Sequence, residues 1–385
     1  MSDYYALLAD RTFTPEGIRY KQYVVVKEGV IFAVSTKAPT DCPIIELPGQ
    51  SLLPGFIDIH IHGRGGADVM DNTPDTLQII ADALPSTGVV AWVGTTVTAP
   101  IDDICLSLER MQTFIQHGQT QGAELLGSFL EGPYFTAAHR GAHPIQYLKA
   151  PTRVELEKLY SFAKQSLLRV AIAPESAGAT EAIEWLVAHG IKTAVAHTAA
   201  NFQQVTDAFT VGADCGVHLY NGMSGLHHRE PGCSGAILYH DVLAELIADG
   251  VHVHPVMMQL AYRIKGYRGI ALITDCMRAG GLPDGEYMLG TLPVQVCDGQ
   301  AKTADGSLAG STCSLNQALK NMIYQVHVPE WEAVQMATYV PAKYLGLEQR
   351  LGHISPGADA SFAVVDPLFN LTQTIIGGKT AYTCD

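Results

Sequence analysis

Eight short apolar, β-branched runs recur along this chain, and they limit its fold more than any other feature. They are Leu52–Ile59, Val89–Val97, Leu125–Leu130, Leu168–Ala173, Thr193–His197, Ala213–Leu219, Ala244–Ala248 and Gly269–Thr274. Amphipathic stretches such as Ile101–His117, Arg153–Gln165 and Ala179–His189 lie between them. The runs are apolar almost throughout instead of alternating, so each is expected to be covered on both faces. Parallel strands flanked by helices have that pattern. Eight units predict a (β/α)8 TIM-like barrel, for which a span of about 250 residues or slightly more is typical. A doubly wound open sheet is the alternative, and the lack of a GxGxxG turn after the first run weighs against it.

The ends have a different pattern. Tyr23–Lys27, Gly29–Val34 and Ile44–Glu46 near the N-terminus, and Ala360–Val365, Gln373–Ile376 and Lys379–Tyr382 near the C-terminus, look like short antiparallel strands joined by turns. Residues 1–51 and 356–385 are therefore expected to build one small β-sandwich beside a barrel of residues 52–355, the alternative being that each end caps the barrel separately. Gly285–Ser307 resembles a hairpin inserted late in the barrel.

Composition supports a large interior. Of 385 residues, 47 % are hydrophobic and only 16 % charged, against roughly 25 % charged in an average domain. That excludes disorder as the main state. The 24 Lys and Arg against 38 Asp and Glu give a formal charge of −14. Such a balance disfavours nucleic acid and anionic membrane as partners. A small anionic substrate, which needs only a local positive site, remains compatible. No apolar run reaches the ~18 residues of a membrane helix, and the start MSDYYALLADRTF lacks the parts of a signal peptide. Eight scattered Cys without a CxxC pair suggest reduced thiols in a cytoplasmic protein.

In a barrel of this type the chemistry hangs from the C-terminal strand ends. Five of the eight runs end in ionisable side chains: His60 and His62, Glu131, His197, His218 and Asp275. Each has an ordinary explanation on its own. Glu131 and Asp275 suit helix caps, and a single His suits a hydrogen-bonded core position. His60 and His62, at i and i+2 of a strand, share one face and are able to share one metal. Together the set would bury several imidazoles and carboxylates without use, which is costly, so a metal-hydrolase site is the better reading. A catalytic divalent ion takes about three N or O ligands and leaves one position for water, whose pKa falls towards about 7. Glu131, His197 and His218 supply such ligands, leaving Asp275 for proton transfer. The loop after the sixth run, His218 to Gly232, carries Arg229 beside His227 and His228 among glycines. Arg presents a fork suited to phosphate, and a solvated Arg–Glu pair is the plain alternative.

The segments PGFIDIHIHG, LEGPYF, KTAVAHT, HLYNGMSGLHHREPG, IADGVHVHP and LITDCM occur in that order. The series resembles the N-acetylglucosamine-6-phosphate deacetylases of the amidohydrolase superfamily, including the relatives acting on N-acetylgalactosamine 6-phosphate, over nearly the whole chain. The resemblance implies hydrolysis of the acetamide of one of these sugar phosphates to acetate and an amino-sugar 6-phosphate. It implies that Glu131, His197 and His218 hold the catalytic metal, with Zn²⁺ first and Fe²⁺ also suited. It makes Asp275 the proton-transfer group, and matches His143 to a histidine that polarises the acetamide carbonyl. Asn221, Gly222 and Arg229 match phosphate-binding positions, and His252 a substrate-binding histidine. In relatives the arginine can reach a neighbouring subunit's site, so a homodimer is implied. Some members lack the HxH pair and bind one metal. Here His60 and His62 are present and leave room for a second ion, one or two per chain, bridged through Glu131. The rivals are another amidohydrolase, acting on a cyclic amide or deaminating a base, and a catalytically dead sugar-phosphate sensor.

Overall fold

The computed structural model describes residues 4–119 and 121–384. Eight parallel strands form its centre: β1 (Phe56–Ile61), β2 (Val89–Thr95), β3 (Glu124–Leu130), β4 (Leu167–Ile172), β5 (Lys192–Val195), β6 (Cys215–Gly216), β7 (Leu243–Ile247) and β8 (Ile270–Ile273). Each strand pairs with the next in sequence. β8 and β1 meet just past their ends, where the Asp275 N–H donates to the His60 carbonyl at 3.0 Å and the His62 N–H to that of Cys276 at 2.9 Å. The result is a nearly closed (β/α)8 barrel.

Alternate strand residues enter two separate apolar layers. Ile57, Ile59, Ala91, Val93, Phe129, Ala171, Ala194, Cys215, Ala271 and Ile273 pack inside the barrel. Phe56, Trp92, Val170, Ile172, Leu246 and Leu272 pack outside with helix residues such as Leu108, Leu159, Leu186 and Met258. Burying one large aliphatic side chain is worth roughly 1.5–3 kcal/mol, so strands buried on both faces gain twice from one run. This is why the runs lack polar alternation.

The termini come together as expected. Tyr4–Thr14, Gly17–Tyr20, Tyr23–Lys27, Val30–Ser35 and Ile44–Pro54 from one end join Phe362–Val365, Leu371–Ile376 and Lys379–Thr383 from the other in one eight-stranded sheet. Its two halves fold over a single core, where Tyr5, Leu7, Val24 and Ile31 meet Phe362, Val364 and Ile375. The Tyr5 hydroxyl donates to the Gly378 carbonyl across 2.6 Å.

Four local features differ from expectation. The long strand Tyr4–Thr14 was not expected, because its apolar residues are broken by Asp10, Arg11 and Thr12. The run Leu52–Ile59 is two strands: residues up to Pro54 pair in the terminal sheet and the barrel begins at Phe56. Gly55 separates them where a Cβ would lie 2.4 Å from Val90. The sixth run shrinks to Cys215–Gly216, because the chain turns at His218. The late insertion is a three-stranded sheet, Gly285–Leu289, Leu292–Cys297 and Gln300–Lys302. Among the described residues no helix is long and apolar enough to cross a membrane.

Candidate active site

The barrel mouth opens into a cavity of about 250 Å³ lined by His62, Glu131, His143, His197, His218, Asn221, Gly222, His252 and Asp275. Leu289, Ser307 and Leu308, within or just after the inserted sheet, cover one side of it. Glu131 follows β3 directly, while His197, His218 and Asp275 each stand two residues past β5, β6 and β8. These last three have φ of 43°, 30° and 51°. Left-handed backbone is costly for side chains with a Cβ and is found where the surroundings enforce it, often at functional sites. Here it turns each side chain inward over the barrel axis. β1 uses another device: its pairing with β2 is irregular between Asp58 and Ile61. This break allows Ile59 to stay in the interior layer while His60 and His62 both face the mouth.

Glu131 is the hub. Its carboxylate lies 3.2 Å from His62 Nε2 and His218 Nε2, 3.5 Å from His60 Nε2 and 3.6 Å from His197 Nε2. Asp275 Oδ1 lies 3.1 Å from His62 Nε2 and 3.3 Å from His60 Nε2. All of these groups are buried. The cap alternatives for Glu131 and Asp275 fail on geometry, since no α-helix begins within the twenty residues that follow either.

The outer ring nitrogens assign the tautomers. Nδ1 of His62 faces the Thr95 carbonyl at 3.0 Å, that of His197 the His139 carbonyl at 2.9 Å, and that of His218 the Asn221 carbonyl at 3.1 Å. A carbonyl only accepts, so Nδ1 carries a proton, and in the neutral ring Nε2 offers a lone pair to the cavity. His143 is reversed. The Thr98 backbone N–H, which can only donate, points at its Nδ1 at 3.3 Å, and the Thr98 hydroxyl, able to donate as well, lies 2.8 Å from the same nitrogen. The ring proton is therefore on Nε2, pointing inward 3.2 Å from His197 Nε2. The mouth thus combines lone-pair nitrogens with one N–H donor.

Electrostatics follow the same division. Burial opposes charge on every imidazole. Beside Asp275 and Glu131, however, His62 is pushed up to about 10, and His60 is raised well above its usual range by Glu131, Asp275 and Glu245. Burial also works against the Glu131 and Asp275 charges, but the surrounding imidazoles hold both carboxyls well below the ordinary range. Burial, followed by the neighbouring His197, keeps His143 neutral. Two anions therefore draw positive charge into a space where His197 and His218 present lone pairs 3.1 Å apart. That repulsive arrangement and the N/O donor set fit a divalent cation. Two overlapping sets meet at Glu131, one with His60 and His62 and the other with His143 and His197.

Asn221, Gly222 and His252 line the cavity. His252 is held by Asp249 at 2.6 Å. Gly222 has φ of 58°, and a Cβ there would lie 2.8 Å from His197 Nδ1, so only glycine fits this close. Arg229 does not reach this cavity. It is exposed on its loop with the guanidinium 2.7 Å from His228 Nε2. Four partners escaped the sequence reading: Thr98, Asp249, Arg169 and Glu245. Arg169 and Glu245 are an ion pair with no exposed surface beneath the mouth, and a lone charge in LLRVAI and in LAELI was the available signal.

A barrel with His, Glu and Asp at its strand ends defines a metal-hydrolase class, and comparison agrees. The model of the Amidohydrolase family matches residues 51–381, and the chain belongs to that family. Within it, the chain belongs with the N-acetylglucosamine-6-phosphate deacetylases and their galacto relatives. It is 43 % identical over 371 residues to N-acetylglucosamine-6-phosphate deacetylase of Vibrio furnissii, covering 95 % of this chain and 92 % of the relative. It is 42 % identical over 378 residues to N-acetylgalactosamine-6-phosphate deacetylase of Escherichia coli O157:H7, covering 98 % and 99 %. A mutant N-acetyl-D-glucosamine-6-phosphate deacetylase from Mycobacterium smegmatis, solved in complex with N-acetyl-D-glucosamine-6-phosphate, matches with a TM-score of 0.94. That structure is 30 % identical and covers 99 % of this chain and 100 % of its own.

Proposed function

We propose that this chain hydrolyses the acetamide of N-acetylglucosamine 6-phosphate, or of its galacto epimer, to acetate and the amino-sugar 6-phosphate. The observation that carries this reading is the pairing of tautomers at the mouth. Nε2 lone pairs and Glu131 gather on one side, with the single inward N–H of His143 beside them.

Glu131, His197 and His218 would hold the catalytic ion, and His60 and His62 with Glu131 a second one. Zn²⁺ is the first choice for such a donor set and Fe²⁺ the next. When bound, the ion supplies Lewis acidity and a water acidified towards a pKa of about 7.

The chain's own groups do the rest. Asp275, held ionised, accepts the proton of the attacking water and returns it to the departing nitrogen, so that the C–N bond breaks to a neutral amine. His143 donates its Nε2–H to the carbonyl oxygen as negative charge develops there. Its tautomer is fixed in advance by Thr98, and no proton need move for the donation. Asn221, Gly222 and His252 bind the sugar phosphate, and that remote binding holds the acetamide in register. Arg229, exposed and away from its own cavity, is assigned to the phosphate of a partner chain's site, which makes the active form a homodimer. The proposed division is a barrel from Phe56 to residue 355, carried on a terminal sandwich of the residues up to Pro54 and of residues 356–385.

The test is acetate release by protein of known metal content from both epimeric 6-phosphates and from the unphosphorylated sugars. The expected result is turnover of at least one 6-phosphate with kcat/KM far above that for its parent sugar. Equal kcat/KM with and without phosphate would overturn the substrate assignment.

A further inference from the structure

Of the four imidazoles that aim a lone pair into the mouth, His60 alone rests on a carboxylate. Its Nδ1 lies 3.0 Å from Glu245 Oε2, whereas His62, His197 and His218 rest on backbone carbonyls. Glu245 stands on β7 and is fully buried. Its other oxygen is taken by Arg169 of β4, also fully buried. Arg169 donates in addition to the Ile59 carbonyl at 2.7 Å, one residue before His60, and lies 4.1 Å from the centre of the Phe129 ring. The guanidinium thus grips both Glu245 and the β1 backbone and fixes the distance between them. On the far side His60 Nε2 is buried without a hydrogen-bond partner, 3.3 Å from Asp275 and 3.5 Å from Glu131.

We propose that Glu245, clamped by Arg169, is a positioning residue that keeps His60 in its Nδ1–H tautomer and so aims the Nε2 lone pair at Glu131 and Asp275. A carboxylate is an obligate acceptor, so it specifies this tautomer and also makes the imidazole a stronger donor towards a cation. The guanidinium neutralises Glu245 without competing for His60. Control of the tautomer would matter most at the His60–His62 side of the pocket. The role in metal binding rests on the reading that this mouth holds divalent ions; the tautomer does not.

Glu245→Gln tests it. The Gln carbonyl oxygen can stay on Arg169, which turns the amide N–H towards His60 and forces Nδ1 to accept. In metal-free protein held at a pH above the His60 transition, where the ring is neutral, nitrogen NMR of labelled histidines is expected to show His60 as Nδ1–H in the parent chain and Nε2–H in the variant, with the rings of His62, His197 and His218 unchanged. Titration with Zn²⁺ alone is expected to show one equivalent bound as before and the second weakened roughly 10–100-fold. Glu245→Gln leaves a buried guanidinium without its carboxylate, so the charge-neutral double variant Arg169→Met, Glu245→Leu, in which nothing accepts from His60 Nδ1, is measured beside it and should weaken the second equivalent likewise. A parent chain with His60 in the Nε2–H form would overturn the proposal. So would a folded Glu245→Gln variant that keeps Nδ1–H, or a folded variant of either kind that binds both equivalents as tightly as the parent or loses both equally. If the parent binds a single Zn²⁺, the two-ion reading falls, and the tautomer shift decides the role of Glu245 by itself.

Discussion

At the scale of single residues, the site works by a division between groups that accept and groups that donate. Thr98 holds His143 as a donor, while three backbone carbonyls and one carboxylate hold the other imidazoles as acceptors. Asp275 sits 3.1 Å from His62 Nε2 and is held ionised, as a proton acceptor must be. Asp275→Asn is therefore expected to retain metal and substrate and to lower kcat by about 10²–10⁴-fold. Steady-state kinetics beside metal analysis measure this, and a variant with more than a tenth of parent kcat would remove Asp275 from proton transfer. These residues were legible in the sequence because a carboxylate or imidazole is conspicuous at the end of an apolar run. Asp249 carried the same signal, directly after the seventh run and three residues before the His252 it holds. Thr98 did not, since it meets His143 through a contact 45 residues away that only the fold creates. The exposed position of Arg229 was equally invisible, because residue type says nothing about which cavity a loop reaches.

Among the elements, the barrel strands were easy to see and their ends were not. Burial on both faces writes a strand as an unbroken apolar run, so all eight appear in the sequence. Their limits depend on backbone turns at His197, His218 and Asp275 that leave no mark in composition. The irregularity in β1 has the same status: it aims His60 and His62 at Glu131, and the i, i+2 spacing alone gave their shared face but not the break before them. If this pair and the His197–His218 pair each hold an ion with Glu131, as proposed, the two sets are separable. His60→Gln together with His62→Asn should remove one metal equivalent and lower activity only in part, whereas loss of His197 or His218 should abolish it. Metal content and kcat of the double variant check this. Unchanged metal content would exclude the β1 pair as ligands, and complete inactivity would place the essential ion on the β1 side.

Across the whole molecule, the two chain ends share one sheet, and the barrel between them carries every group of the cavity. Joining of the ends was legible from the short strand-and-turn runs at both termini, but the long first strand was hidden by its central polar residues. Arg229 connects this scale to function, since it lies outside the cavity of its own chain. Arg229→Ala should mainly raise KM for the 6-phosphate, with a charge-assisted contact worth about 1.5–3 kcal/mol, and should scarcely affect the unphosphorylated sugar. Equal losses on both would mark Arg229 as structural. The convergent Nε2 atoms and Glu131 are proposed as the metal site at which the acetamide is hydrolysed. Stepwise addition of Zn²⁺ to metal-free protein, with N-acetylglucosamine 6-phosphate and its galacto epimer in separate runs, tests it most directly. Acetate release should be absent at the start and rise in proportion to the first equivalent bound with at least one epimer; release at full rate without metal, or tight sugar-phosphate binding with no acetate at metal saturation, would contradict it.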